Sequence, residues 1–410
     1  MTAPSTASSS ATIEPTRTLM LLLAGCSVVG PISTLVLMPA LPAIRAEFGA
    51  STAATQAVIS AFLFAFAAGI PFTGPLSDRY GRRPVLLLGL LTFFTGSVLA
   101  AIAPTLEVLI FARAIQALGC SASATVSRAV LGDVFRDWRL AQALASLTLF
   151  MMMGTSISPY LGGWMTEHLG WHAPFLVLIG LSAITGLACY KFLPETRVLR
   201  GELASSRTLF NESVAVLRRP VFVGCMVDAG VIYALYLGFI SVAPYVMSEM
   251  LGKPATEFGI YVLFLSVGYF LGNLVVSRIR GHAQLERVAR FGTWLQAGSA
   301  LTAAGFVWMG YTDPIFWFGP MLPLAFAQGL ALPHVTASAV RLVPNYAGVA
   351  SSMIGLAQQA AAAIAVQGMG FLPTNTPVPV LSVCAALSLI SLCVMIAVDR
   401  ALHREGIPET

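Results

Sequence analysis

Long apolar runs, each closed by a short stretch of polar and charged residues, recur from one end of the chain to the other. The runs repeatedly reach the ~20 residues that an α-helix needs to cross a hydrocarbon core of about 30 Å. The pattern predicts twelve spans, at about 18–41, 53–74, 84–102, 105–128, 140–165, 172–193, 220–246, 256–278, 289–310, 314–341, 347–371 and 377–398. The longest polar stretch divides them six and six. The chain then reads as a cytoplasmic tail at 1–17, a six-helix bundle at 18–193, a cytoplasmic linker at 194–219, a second six-helix bundle at 220–398 and a tail at 399–410. The first sixteen residues are rich in Ser, Thr and Ala, with Pro4 and Pro15 and no basic residue. They lack the positive n-region of a cleaved signal and read as a short tail.

The two halves echo each other. Glu47-Phe48-Gly49 in the first outer loop matches Glu249-Met250-Leu251-Gly252, and the segment from Gly74 to Arg79 matches that from Gly272 to Arg278. Odd spans match odd spans, so the repeats are parallel and related by an axis along the membrane normal, an arrangement that permits rocking about a central site.

Composition and charge narrow the function classes. Of 410 residues, 57% are hydrophobic and 10% charged, against about 25% charged in a typical soluble domain. The net charge of +5 is spread over short loops rather than gathered in a patch, which excludes a nucleic-acid surface. Twenty of the 23 lysines and arginines fall on one side of the spans; Arg45 and Lys253 fall on the other, and Arg113 lies within a span. The positive-inside rule therefore places both termini in the cytoplasm. All six cysteines lie in apolar segments without CxxC spacing and read as small hydrophobes. The five histidines, at 168, 172, 282, 334 and 403, are scattered, and neither HExxH nor GxSxG occurs, so no metal site and no membrane enzyme is indicated. A filter loop is also absent from the sequence, which sets a channel aside. Transport remains.

The sharpest local motif runs from Gly74 to Pro84 as Gly74-Pro75-Leu76-Ser77-Asp78-Arg79-Tyr80-Gly81-Arg82-Arg83-Pro84, in the turn between spans 2 and 3. Gly74 allows close helix approach, Gly81 a tight turn, and Asp78 can cap a helix start or pair with a basic side chain. A second element, Arg113-Ala114-Ile115-Gln116-Ala117, lies in span 4, and a third, with Gly154, Pro159, Gly162 and Gly163, lies in span 5. On these motifs, with Leu193-Pro194-Glu195-Thr196 leaving span 6 and Met38-Pro39-Ala40-Leu41-Pro42 ending span 1, the chain resembles the major facilitator superfamily over its whole length. Within it the sequence looks most like the drug:proton antiporters of the bicyclomycin and chloramphenicol resistance type. The resemblance implies an all-α membrane fold of twelve transmembrane helices, with spans 1, 4, 7 and 10 lining a central cavity. It also implies an acidic partner, here Asp133, for the motif arginines Arg79, Arg82 and Arg83, forming a cytoplasmic gate. Two departures stand out: Ser33-Thr34-Leu35-Val36-Leu37 in span 1 has no carboxylate where such relatives carry one, and span 5 has Ser158-Pro159 in place of Gly-Pro.

Of the 18 acidic residues, Asp228 alone falls well inside a span. An ionised carboxylate in hydrocarbon is costly, so Asp228 is expected to face a cavity or a partner and to exchange a proton. Arg113 is its natural partner: at 1.5 Å per residue the two lie within about 5 Å of each other in depth. Helical spacing puts Arg113, Gln116 and Cys120 on one face of span 4, and Asp228, Ile232, Leu235 and Phe239 on one face of span 7. These, with Tyr236 on span 7 and His334 beside Pro333 on span 10, predict a mostly apolar substrate cavity. The expectation is a bacterial inner-membrane exporter of small lipophilic drug-like compounds, working as a monomer, powered by the proton gradient and needing no cofactor. The alternatives are an exporter of an anionic metabolite or siderophore held by Arg113, or an uncoupled facilitator.

Overall fold

The computed structural model describes residues 17–135, 137–196, 206–279 and 282–404, and all regular structure among them is helical. The tail at 1–16, Arg136, linker residues 197–205, residues 280–281 and the chain from 405 lie outside the described residues. The first half comprises α1 (Arg17–Leu35), α2 (Leu41–Phe48), α3 (Thr52–Tyr80), α4 (Arg82–Ala101), α5 (Leu106–Val134), α6 (Asp137–Leu169) and α7 (Ala173–Phe192). After α8 (Ser206–Leu217) come α9 (Pro220–Leu251), α10 (Ala255–Arg278), α11 (His282–Trp308), α12 (Pro314–Arg341), α13 (Ala347–Met369) and α14 (Val378–Arg404). Span 1 is thus α1 with α2, spans 2 to 6 are α3 to α7, and spans 7 to 12 are α9 to α14.

Local chemistry accounts for the breaks. Pro39 and Pro42 have no amide hydrogen to give, so span 1 leaves the α-helix after Leu35, passes through a 3-10 turn at Met38–Ala40 and restarts as α2. At the opposite end from the arginine-rich turns, Ser51 Oγ accepts from Ala54 N at 3.1 Å and Asp313 Oδ1 from Ile315 N at 3.0 Å. These caps satisfy amides that the first turns of α3 and α12 leave open. Gly49 and Gly252, the matched glycines of the two halves, close α2 and α9 with φ of 57° and 61°.

Eleven of the described helices are long and apolar enough to cross a membrane. The twelfth, α11, has spanning length but carries Glu286, Arg287 and Arg290 near its start, and it packs between α12 and α14. Most helices outrun their apolar windows; α3, for example, continues through Asp78 to Tyr80. Backbone hydrogen bonding does not stop where hydrocarbon does. The linker, expected to be simply polar, holds α8, which rests on α9 and α13 with Val216 buried.

Helices α1 and α3 to α7 pack among themselves, as do α9 to α14, and the two groups meet along α3 with α13 and α6 with α10. The second seam depends on missing side chains. A Cβ on Gly259 of α10 would lie 2.5 Å from Tyr160 Cα and 2.6 Å from Pro159 O of α6, while one on Gly163 would meet Ala255 C at 2.8 Å. Backbone cannot step aside as a flexible side chain does. Gly259→Val is therefore expected to cost about 1–3 kcal/mol by overpacking, read as a lower Tm of the purified protein. Gly298→Val, with nothing within 4 Å of its Cβ, should leave Tm unchanged.

Candidate functional site

A cavity of about 150 Å³ lies between α1, α6, α9, α10 and α12. One wall is formed by Tyr233, Tyr236, Tyr269, Ser266 and Gln328 of the second half, the other by Thr34, Thr155, Ser156 and Met152 of the first. None of the described residues lining it is Asp, Glu, Lys, Arg or His. Thr155, Ser156 and Ser266 donate to carbonyls of their own helices at 2.9, 2.7 and 3.0 Å, and Gln328 Nε2 donates to Ile232 O at 3.1 Å. Most lining donors are therefore already engaged, leaving oxygens and aromatic faces to meet a ligand. Drug-sized sites run to about 300 Å³ or more, so at about 150 Å³ the cavity is smaller than such a site.

Of the seven residues expected in the cavity, Ile232 and Tyr236 line it. Gln116, Cys120, Leu235 and Phe239 are buried in helix packing, and His334 lies half-buried with Nε2 3.4 Å from Ser338 Oγ. Cys120 packs against α1 at Gly30. The expected face of α9 was oriented by Asp228. The observed lining residues Ile232, Tyr233, Tyr236 and Leu237 define a face turned by about 100° from it, at 3.6 residues per turn. Helix α5 contributes no lining residue, and α6 and α10 supply theirs instead.

Arg113 is fully buried inside the first half. Its Nε donates to Val58 O at 3.3 Å and its Nη1 to Ser33 Oγ at 2.7 Å and to Gln116 Oε1; the guanidinium lies 4.1 Å from the centre of the Phe62 ring. Gln116 Nε2 passes the network on to Ser97 Oγ at 2.6 Å. Ser33, in the segment without a carboxylate, thus holds the arginine. Nη2 has no hydrogen-bond partner. Asp228 is only 2% exposed, and its Oδ1 accepts from Ser391 Oγ of α14 at 2.6 Å. The expected Arg113–Asp228 pair does not form. Arg113 turns toward α1 and α3, and Asp228 turns toward α14.

At the arginine-rich end, Arg82 bonds Asp78 at 2.9 Å, Asp133 at 3.0 Å and Ser77 at 2.6 Å. Thr196 Oγ1 donates to the same Asp133 at 3.2 Å. Arg83 turns to Tyr190 O at 2.6 Å, and Arg79 is exposed beside the Tyr80 ring. The cap of α4 is not Asp78, which sits in the last turn of α3. Glu195 takes that place, its two oxygens accepting from Arg82 N at 2.9 Å and Arg83 N at 3.1 Å, beside Gly81 at φ 97°. A carboxylate at a helix start meets both open amides and the positive end of the dipole.

Ties between the halves gather at the other end. Arg45 pairs with Glu249, whose second oxygen accepts from Thr374 at 2.7 Å. Gln56 Nε2 donates to Ser241 O at 2.8 Å, Ser60 to Gln367 at 2.7 Å, Gln367 Nε2 to Ala53 O at 3.0 Å, and Thr256 Oγ1 to Glu167. Nearby, the Glu257 carboxylate 3.1 Å from Lys253 holds that ammonium above its ordinary pKa.

The sequence matches the family described as Major Facilitator Superfamily over residues 23–366. The chain belongs to this superfamily. It is 27% identical over 352 residues to multidrug resistance protein D of Escherichia coli (strain K12), covering 82% of this chain and 84% of that one. It is 24% identical over 296 residues to chloramphenicol resistance protein CraA of Acinetobacter baumannii, covering 72% and 71% of the two chains. A crystal structure of a D-xylose-proton symporter superposes with a TM-score of 0.74 at 14% identity, over 92% of this chain and 96% of the other.

The superfamily signature between α3 and α4 is therefore a brace. It binds the α3–α4 turn to the end of α5 and the exit of α7, and the bonds given to Arg82, Arg83 and Asp133 stay within the first half. In the span 5 motif, on α6, Gly154 lies against α1, Gly162 against Val36 just beyond it and Gly163 against α10, while Ser158 turns its hydroxyl back to Gly154 O. Neither Glu195 as a cap nor Ser33 as the seat of Arg113 was deduced from the sequence. The Pro-Glu-Thr exit of span 6 was the available signal for the first. Arg82→Ala is expected to destabilise the purified protein by about 1–3 kcal/mol through lost charge-assisted bonds, whereas exposed Arg79→Ala stays within about 0.5 kcal/mol; thermal unfolding of the two variants checks this.

Proposed function

We propose that this transporter exports small, uncharged, lipophilic compounds from a bacterial cytoplasm in exchange for protons, as a monomer in the inner membrane with both termini cytoplasmic. The observation that carries the reading is the cavity wall: three tyrosines, a glutamine and hydroxyls, with no charged lining residue. A desolvated cation would find no carboxylate there, and a carboxylate ligand no guanidinium, because Arg113 is fully buried inside the first half and is not among the residues that line the cavity. The anion-exporter alternative loses its anchor. Aromatic surfaces and a few neutral hydrogen-bonding groups suit an apolar molecule with polar substituents. The names of the drug-resistance relatives support the same class.

Alternating access supplies the transport cycle. The cross-half ties at Arg45–Glu249, Gln56–Ser241, Gln367 and Glu167–Thr256 close the outer side, and the brace around Arg82 keeps the cytoplasmic turns of the first half moving as one body. Opening outward breaks those ties. Asp78, Arg79, Gly81, Arg82, Arg83 and Asp133 then act on the cytoplasmic gate by stiffening the turns of the first half, not by bonding one half to the other, and no metal or organic cofactor takes part.

Proteoliposomes loaded in turn with a neutral phenicol, a lipophilic cation and a small carboxylate test the cargo. Transport of the phenicol alone, with KM raised about 2- to 10-fold in Tyr236→Phe by loss of one hydrogen bond, is expected; preference for the cation or the carboxylate would sink the reading. Joining positions 45 and 249 by paired cysteines should stop transport, and a reducing agent should restore it. Undiminished flux through the cross-linked protein would rule out opening at this end.

A further inference from the structure

Asp228 is the buried charge that the cavity does not use. It sits on α9 eight residues after Pro220, about 12 Å into the helix at 1.5 Å per residue. Its carboxylate faces α14, where Ser391 donates to Oδ1 at 2.6 Å, and among the described residues no basic group lies within ion-pair reach. The surrounding elements are short of charge. On α9 its neighbour is Cys225; α13 approaches two residues further on, with Ala357 and Ala361 against Gly230; α12 contributes Gln328, already bonded to Ile232 O. The next charged groups lie toward the cytoplasmic end of the same seam, where Asp399 of α14 pairs with Arg290 of α11 at 3.0 Å and Arg290 also holds Glu286. Ser391 and Asp399 are eight residues apart, about two turns of α14. The cytoplasmic stretch of the seam is tight: a side chain on Gly224 would strike Val398.

An ionised carboxylate left with one hydroxyl donor and no cation is costly in so dry a place. Four residues further along, the same helix begins the cavity wall with Ile232, Tyr233, Tyr236 and Leu237. Helix α9 thus carries a proton-accepting group on one face and ligand contacts on another.

Resting on the exchange reading above, we propose that the coupled proton is carried by Asp228 in the α9–α14 seam, outside the substrate cavity, with Ser391 as its positioning residue and the Asp399–Arg290–Glu286 cluster as its outlet to the cytoplasm. With the outer side open, water delivers a proton to the carboxylate. With the inner side open, the proton leaves past Asp399 to cytoplasmic water, and the carboxylate formed accepts from Ser391. Proton and cargo never compete for one set of atoms. They bias the same helix, which is the differential interaction that a population shift requires.

Two readouts test this on the full-length protein. The first is proton release on adding a neutral phenicol to the detergent-purified protein, followed with a pH dye. Wild type and Asp228→Glu should release protons, Asp228→Asn should not, and Asp228→Asn should still bind the phenicol with Kd raised only about 2- to 10-fold, since its neutral amide stands in for the protonated carboxyl and linkage lowers the affinity by the factor that drives release. Release that persists in Asp228→Asn, or phenicol binding lost with it, overturns the proposal. The second readout needs no cargo: the protonated-carboxyl stretch in infrared difference spectra, titrated with pH. A band missing in Asp228→Asn, displaced in its pH midpoint in Ser391→Ala and returned in Ser391→Thr supports the seam; a band unchanged by all three overturns it. Phenicol transport by wild type with no proton release at all overturns the exchange reading instead, and the infrared titration then still decides whether the seam takes up a proton.

Discussion

Hydrocarbon offers no hydrogen bonds, and nearly every feature of this protein follows from how its polar groups meet that constraint. Backbone amides are satisfied by making the spans helical, and the few polar side chains inside them must find one another. Arg113 finds Ser33, Gln116, a carbonyl and an aromatic face. Asp228 finds Ser391. Gln367 bridges Ser60 and the Ala53 carbonyl across the two halves. Each such bond fixes the rotation of a helix about its own axis, which hydrophobic contact with lipid leaves free.

The two ends of the bundle solve the same problem differently. At the arginine-rich end, charge is neutralised within the first half: Arg82 gathers Asp78 and Asp133 while Glu195 caps α4. At the other end the bonds run between the halves, through Arg45–Glu249, Gln56–Ser241 and Glu167–Thr256, alongside the glycine-lined contact of α6 with α10. One end is braced within a single half; the other is joined by bonds between the two halves. Partly exposed pairs such as Arg45–Glu249 contribute little stability, on the order of 1 kcal/mol or less.

Helix α9 is where these arrangements converge. It caps with Gly252 beside the Glu249 tie, presents Tyr233 and Tyr236 to the cavity, and carries Asp228 toward α14. One helix thus touches the cross-half tie, the cavity wall and the buried carboxylate.

The sequence by itself determined the order of the spans and the positions of the signature motifs. Hydropathy and charge suffice for these because lipid and water act on a segment as a whole, whatever its rotation. Only the tertiary structure decided which way Arg113 and Asp228 turn. The sequence pairs them across the halves; the structure gives each to its own half, because azimuth is set by close packing against residues far away in the chain, such as Ser33 for Arg113 and Ser391 for Asp228. The same reason hid the cavity wall. Its face of α9 is no more polar than the one chosen from Asp228, and it lines a space only because α6, α10 and α12 leave room beside it. The cap of α4 by Glu195, 113 residues further on, and the helix in the linker were likewise fixed by contacts that no local pattern records.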